Sequence, residues 1–70
     1  MASIRELRLM VGLSQENLAR RARTSRYRLS AAETGLGNLQ LWEEKLLRDA
    51  LADFSRERHA AFLGRLREAQ

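Results

Sequence analysis

The chain of 70 residues has no cysteine and no proline, four glycines, and only four aromatic side chains. Without cysteine it has neither a disulfide staple nor a thiolate metal site. The absence of proline is in keeping with a largely helical chain. Val11 and Ile4 are the only β-branched aliphatic residues, too few to populate strands. No apolar run approaches the ~18 residues of a membrane span, and the N-terminus shows no apolar signal-peptide region. A cytoplasmic location is therefore expected. What is present instead is leucine (13) and alanine (10), a composition that favours helix throughout. The length fits one domain with a small core, a size at which oligomerisation is a common supplement to stability.

The charge is unevenly spread. Net charge is +4. Residues 1–37 carry seven Arg against three Glu, whereas residues 38–70 carry five Arg and one Lys against four Glu and two Asp. The whole excess thus lies in the first half. Arg20, Arg21, Arg23, Arg26 and Arg28 follow one another with no acidic residue between them, a surface suited to a polyanion. Twelve of the thirteen cations are Arg, which can clamp phosphate or guanine through two parallel hydrogen bonds.

The spacing of apolar residues predicts five helices, over 3–11, 15–22, 25–34, 39–52 and 55–69. Ser3 caps the first, with Glu6 completing a capping box, and Gly12 ends it. Its apolar stripe is Ile4, Leu7 and Val11, extended by Met10, and Leu13 then enters the core. Ser14 caps the second helix, which turns Leu18, Ala19 and Ala22 inward. Thr24 or Ser25 caps the third, with Leu29 and Ala32 inward and Gly35 closing it. Asn38 is the expected cap of the fourth, with Leu39, Trp42, Leu46 and Ala50 on its inner face, widened by Leu47 and Leu51. Glu43 and Glu44 in its first turns suit the helix dipole. The pattern shifts phase around residues 52–55, and Ser55 is read as the cap of a fifth helix. A single helix from 39 to 69 is the alternative.

The run Leu13-Ser14-Gln15-Glu16-Asn17-Leu18-Ala19, then Thr24-Ser25-Arg26, Leu29-Ser30 and Glu33-Thr34-Gly35, resembles the phage-repressor/Cro-type (lambda-repressor-like) helix-turn-helix DNA-binding family. Arg5-Glu6-Leu7-Arg8 and Gly12-Leu13 fit the same register. The likeness covers roughly residues 4–36, and the helical remainder in outline. It implies an all-α, compact bundle of about five helices whose third enters the major groove of double-stranded DNA. It further implies a bacterial or phage transcriptional regulator, expected to be a repressor that binds a short palindromic operator as a homodimer. Three departures stand out. Arg23 takes the place of the turn glycine, Thr34 replaces the Asn that often precedes the final Gly, and the proline that often opens the fourth helix is missing.

Carried over residue by residue, the resemblance places Arg26, Tyr27 and Ala31 near base edges, with Arg28 reading a base or reaching a phosphate. Gln15 falls at the position that bonds a phosphate, and Arg21, Arg23, Ser25 and Ser30 are expected to contact the backbone. Tyr27 either stacks, or bonds a phosphate, or only packs on the turn. Arg8 and Glu33 match a family pattern that joins the first and third helices as a partly buried ion pair. Phe62, Leu63 and Leu66, with Ala60 and Ala61, are the expected dimer face; otherwise they only complete the monomer core.

Trp42 is assigned to the core and His59 to the surface or an interface. No nucleophile motif and no second metal ligand accompany His59, so no enzyme activity, metal or cofactor is expected. Two rival readings remain. One is a DNA-binding antitoxin whose C-terminal helix grips a toxin, and the other is a protein–protein adaptor that keeps the fold without DNA. Contact with polymerase is a further partner possibility.

Overall fold

The computed structural model describes residues 3–68 and is all-helical, with α1 (Ile4–Val11), α2 (Gln15–Ala22), α3 (Arg26–Glu33) and α4 (Leu41–Glu68). Each of the first three helices has eight residues and starts the same way. A serine in extended backbone accepts from the N–H three residues on: Ser3 from Glu6 at 3.1 Å, Ser14 from Asn17 at 3.0 Å, Ser25 from Arg28 at 3.3 Å.

They also end alike. A wrapping backbone bond closes each last turn, from Leu13 to Arg8 (3.1 Å), Thr24 to Ala19 (2.9 Å) and Leu36 to Ala31 (2.8 Å). The residue before each of these donors has positive φ: Gly12 at 78°, Arg23 at 57°, Gly35 at 79°. Glycine adopts that backbone freely, whereas Arg23 is strained there.

Helices of two turns are not stable alone, so packing must hold them. Ile4, Leu13, Leu18, Ala19, Ala22, Leu29, Leu47, Ala50 and Leu51 form one core, with Leu7, Val11, Leu39 and Phe54 packed against it. Met10, expected to extend the α1 stripe, is exposed. Arg8 turns inward from the same helix. Its Nε and NH2 donate to the two Glu33 oxygens at 2.9 and 2.8 Å, and its NH1 donates to the Leu13 carbonyl at 2.8 Å.

The second half departs from the expected layout. Residues 39–69 do not divide into two helices; α4 runs 28 residues without a break to Glu68, the last residue described. Position 69, the end of the expected fifth helix, lies outside the described residues. The phase shift around Ser55 is real, but it changes which face is apolar and does not end the helix. Between Leu41 and Arg58 no Gly or Pro supplies a stop, so one more hydrogen bond per residue favours continuation. Side chains fasten this part of α4 to the body, Glu57 to Arg21 at 2.8 Å and Arg58 NH1 to the Val11 carbonyl, while Asp53 pairs with Arg56 along the helix itself.

The inner face of α4 is also rotated from the expected one. Trp42 is not in the core but 62% exposed, and Leu46 is exposed too. Glu43, at 2% exposure, takes the inner position with Leu47, Ala50 and Leu51. Asn38 does not cap the helix, which begins at Leu41; Glu43 Oε1 instead accepts from the Gln40 N–H at 2.9 Å.

Removing one partner of the buried Arg8–Glu33 pair strands the other charge. Glu33→Ala is expected to cost about 3 kcal/mol, lowering the thermal midpoint by more than ~10 °C. The double replacement Arg8→Met with Glu33→Leu should recover much of that loss. Circular dichroism melts of the three proteins check this, and an unchanged midpoint in Glu33→Ala would defeat it.

Candidate nucleic-acid interface

The turn and the start of α3 carry the exposed cations. Arg23, at the turn, and Arg26, at the first position of α3, are exposed, and neither has an ion pair among the described residues. Arg23 has the left-handed backbone that follows α2. Tyr27 follows, also exposed, on the side of α3 away from Leu29. Ala31, one turn on, shares that side and is half-buried, as is Ser30 beside Arg26. Ser25 supplies the N-cap, so its hydroxyl already accepts one hydrogen bond, while its rotatable O–H remains a donor. Arg23, Arg26, Tyr27 and Ser25 thus share one exposed corner of the molecule.

Other residues expected at this surface are turned to internal partners. Arg28 donates through Nε and NH2 to the two Glu43 oxygens, both at 2.6 Å, and through NH2 to the Asn38 carbonyl at 3.4 Å. In this conformation its fork ties α3 to α4 and is not directed at a base. Arg21 reaches from α2 to Glu57 and lies over the Phe54 ring, 4.7 Å from its centroid. Arg58 approaches the same ring at 5.8 Å. Gln15 Nε2 donates one of its two N–H groups to Glu33 Oε1 at 3.0 Å. Arg20 is exposed and pairs with Glu16 at 3.0 Å along α2.

The links through Glu43 and Phe54 are the features that sequence reading missed. Glu43 stands three residues after Gln40, the spacing at which an acid bonds back to the N–H before a helix. That spacing was the available signal. Nothing local marks Arg28 as its second partner.

Two buried carboxylates therefore organise the site. The Arg8 fork holds the Glu33 carboxyl below its ordinary range, against the opposing effect of burial and with help from Gln15. Arg28 and then the Gln40 N–H hold Glu43 down to about 2. Both arginines are correspondingly raised, each first by its hydrogen bonds to the carboxylate.

Trp42, the only tryptophan, edges an open groove together with Arg23, Thr24, Ser25, Arg28, Gln40 and Glu43. It therefore borders the basic corner. Phe62, Leu63 and Leu66 lie on the projecting end of α4 and are exposed, remote from the core residues of the same helix. No three His, Cys, Asp or Glu residues among those described are grouped to hold a metal ion. No described helix is long and apolar enough to cross a membrane. In comparisons with known proteins, no family model, no curated protein and no solved structure matches this chain.

The lowered carboxylates fix the sign of the acid response. Both contribute stability that is fully present above the unfolded value of about 4.3 and is lost as pH falls through the folded values, Glu43 at about 2. The melting midpoint should stay level from neutral pH to about 5 and drop steeply toward about 2. Glu43→Gln should melt lower at neutral pH but show a shallower acid limb. Equal acid limbs in the two proteins would refute the assignment.

Proposed function

We propose that this chain is a sequence-specific DNA-binding regulator that places the N-terminal half of α3 in the major groove. One observation carries the reading. Of the five arginines between 20 and 28, Arg23 and Arg26 stand exposed without an acidic partner among the described residues, at the turn that leads into a two-turn helix with an exposed outer side. A groove about 12 Å wide accepts one helix. Arg26 suits a guanine edge, and the Ala31 methyl suits the apolar surface of thymine. Tyr27 is placed to stack or to bond a phosphate. Arg23, Ser25 and the second N–H of the Gln15 amide suit phosphates, helped by the N–H groups at the starts of α2 and α3. Ser30 lies beside Arg26 and completes the polar edge.

Arg28 and Arg21 contribute indirectly, by orienting α3 and α2 against α4. One chain carries one reading helix and so covers one half-site, and a palindromic operator would recruit two chains. Repression by occupying a promoter is the simplest regulatory consequence.

Three variants separate reading from folding. Arg26→Ala should cost about 1–3 kcal/mol of binding and relax preference at one base position. Arg23→Gly removes a cation and also the left-handed strain. Its melting midpoint should hold or rise, because about 1–2 kcal/mol of strain relief outweighs about 0.4–1 kcal/mol of added chain entropy. Its DNA affinity should nevertheless fall on all sequences, with the slope of log affinity against log salt reduced by about 1. Trp42 emission should change on titration with a selected duplex, because the indole borders the same groove. Binding by the wild-type chain that ignores salt, or by Arg23→Gly that equals wild type, would overturn the proposal.

A further inference from the structure

The end of α4 carries a second surface that DNA reading does not use. The helix is fastened to the body as far as Glu57 and Arg58, through Arg21 and the Val11 carbonyl. From His59 to Glu68 every residue except Gly64 is exposed. Phe62, Leu63 and Leu66 are 57%, 40% and 48% exposed, large apolar groups that none of the other described helices covers.

The stripe is not the core face prolonged. With each residue turning about 100°, Phe62 and Leu66, with His59 and Leu63, centre roughly a quarter-turn from the line of Leu47, Leu51 and Phe54. No bending of the helix toward α1 or α2 would cover it without displacing the core line. Its two edges have the same sign. Arg58 and Arg65 border one side and Arg67 the other, together with Arg56, which also pairs with Asp53 on its own helix, while Glu57 and Glu68 lie on the far side. Glu57 is moreover already paired with Arg21.

This rim decides between occupants. A second copy laid on the stripe, parallel or antiparallel, brings arginine edges against arginine edges, and like charges at an interface cost affinity. A membrane-lying helix needs an apolar face along its whole length, whereas here three residues at i, i+1 and i+4 carry it. That is the footprint of a helix docked in a protein groove.

We propose that residues 56–67 dock into a different protein, whose apolar groove receives Phe62, Leu63 and Leu66 and whose Asp and Glu rim meets Arg56, Arg65 and Arg67. The homodimer expected through these same three residues is disfavoured by its own charges.

The test uses the whole chain and a charge-inverted copy of it, Arg56→Glu with Arg65→Glu and Arg67→Glu, as a probe that presents the same stripe with an acidic rim. Sedimentation equilibrium should find each protein monomeric alone and a one-to-one complex in the mixture, weakened by salt. Phe62→Ala in the wild-type partner should weaken that complex about tenfold or more without moving its melting midpoint. If the triple variant loses its helical signal, Arg65→Glu with Arg67→Glu serves in its place, since neither residue has an ion pair among those described. A wild-type dimer abolished by Phe62→Ala would show that a second copy is the occupant and overturn the proposal. So would the absence of a mixed complex, a complex indifferent to Phe62→Ala, or Phe62-dependent binding to phosphatidylglycerol vesicles.

Discussion

The bidentate contact between Arg8 and Glu33 is the constraint on which the presentation of α3 depends. That helix is two turns long and buries a single leucine. Apolar burial of that kind holds a helix in place but leaves its rotation poorly defined. The rotation is set by charge. At one end the Glu33 carboxylate is gripped by Arg8 and Gln15, and near the other Arg28 grips Glu43. Two forks of fixed geometry, facing different neighbouring helices, leave α3 one way to sit. Burying these carboxylates costs desolvation that apolar side chains would avoid. What they add is direction, and direction is what places Arg26 and Tyr27 outward.

The arginines consequently fall into two groups that composition cannot separate. Arg8, Arg21, Arg28 and Arg58 act as internal struts, each joining two helices. Arg23 and Arg26 are presented outward. A net charge of +4 therefore overstates the electrostatics of the turn if it is read as a uniform patch. The proposed DNA contact is narrower, and it depends on the struts for its shape.

The first three helices were legible because each begins with a serine cap, and α1 and α3 are followed by a glycine that takes the left-handed conformation, signals confined to a few neighbouring positions. The exposed corner was legible for the same reason, since Arg23, Ser25, Arg26 and Tyr27 are consecutive or nearly so. The fourth helix was not. Reading Leu39, Trp42, Leu46 and Ala50 as the inner face treats apolar burial as the only force that rotates a helix. Glu43 competes, because its carboxylate bonds both Arg28 and the Gln40 N–H, and bringing it inward sends Trp42 out. Ser55 looked like a cap because the apolar phase changes there, but a cap needs a preceding stop and the sequence provides none. The partners of Gln15, Arg21 and Arg28 lie 15 to 36 residues away in the chain, beyond any local pattern.

A helix that is continuous from Leu41 to Glu68 is also a lever. Its fulcrum is the fastened segment from Leu47 to Arg58. The short arm back to Glu43 measures about 6 Å and the long arm out to Leu66 about 12 Å, at 1.5 Å per residue. A push at the exposed tip therefore arrives at Glu43 as a displacement about half as large and a force about twice as great. At that point the helix holds the Arg28 guanidinium, and through it the rotation of α3. Whatever takes hold of the tip is mechanically in series with the residues proposed to read the groove.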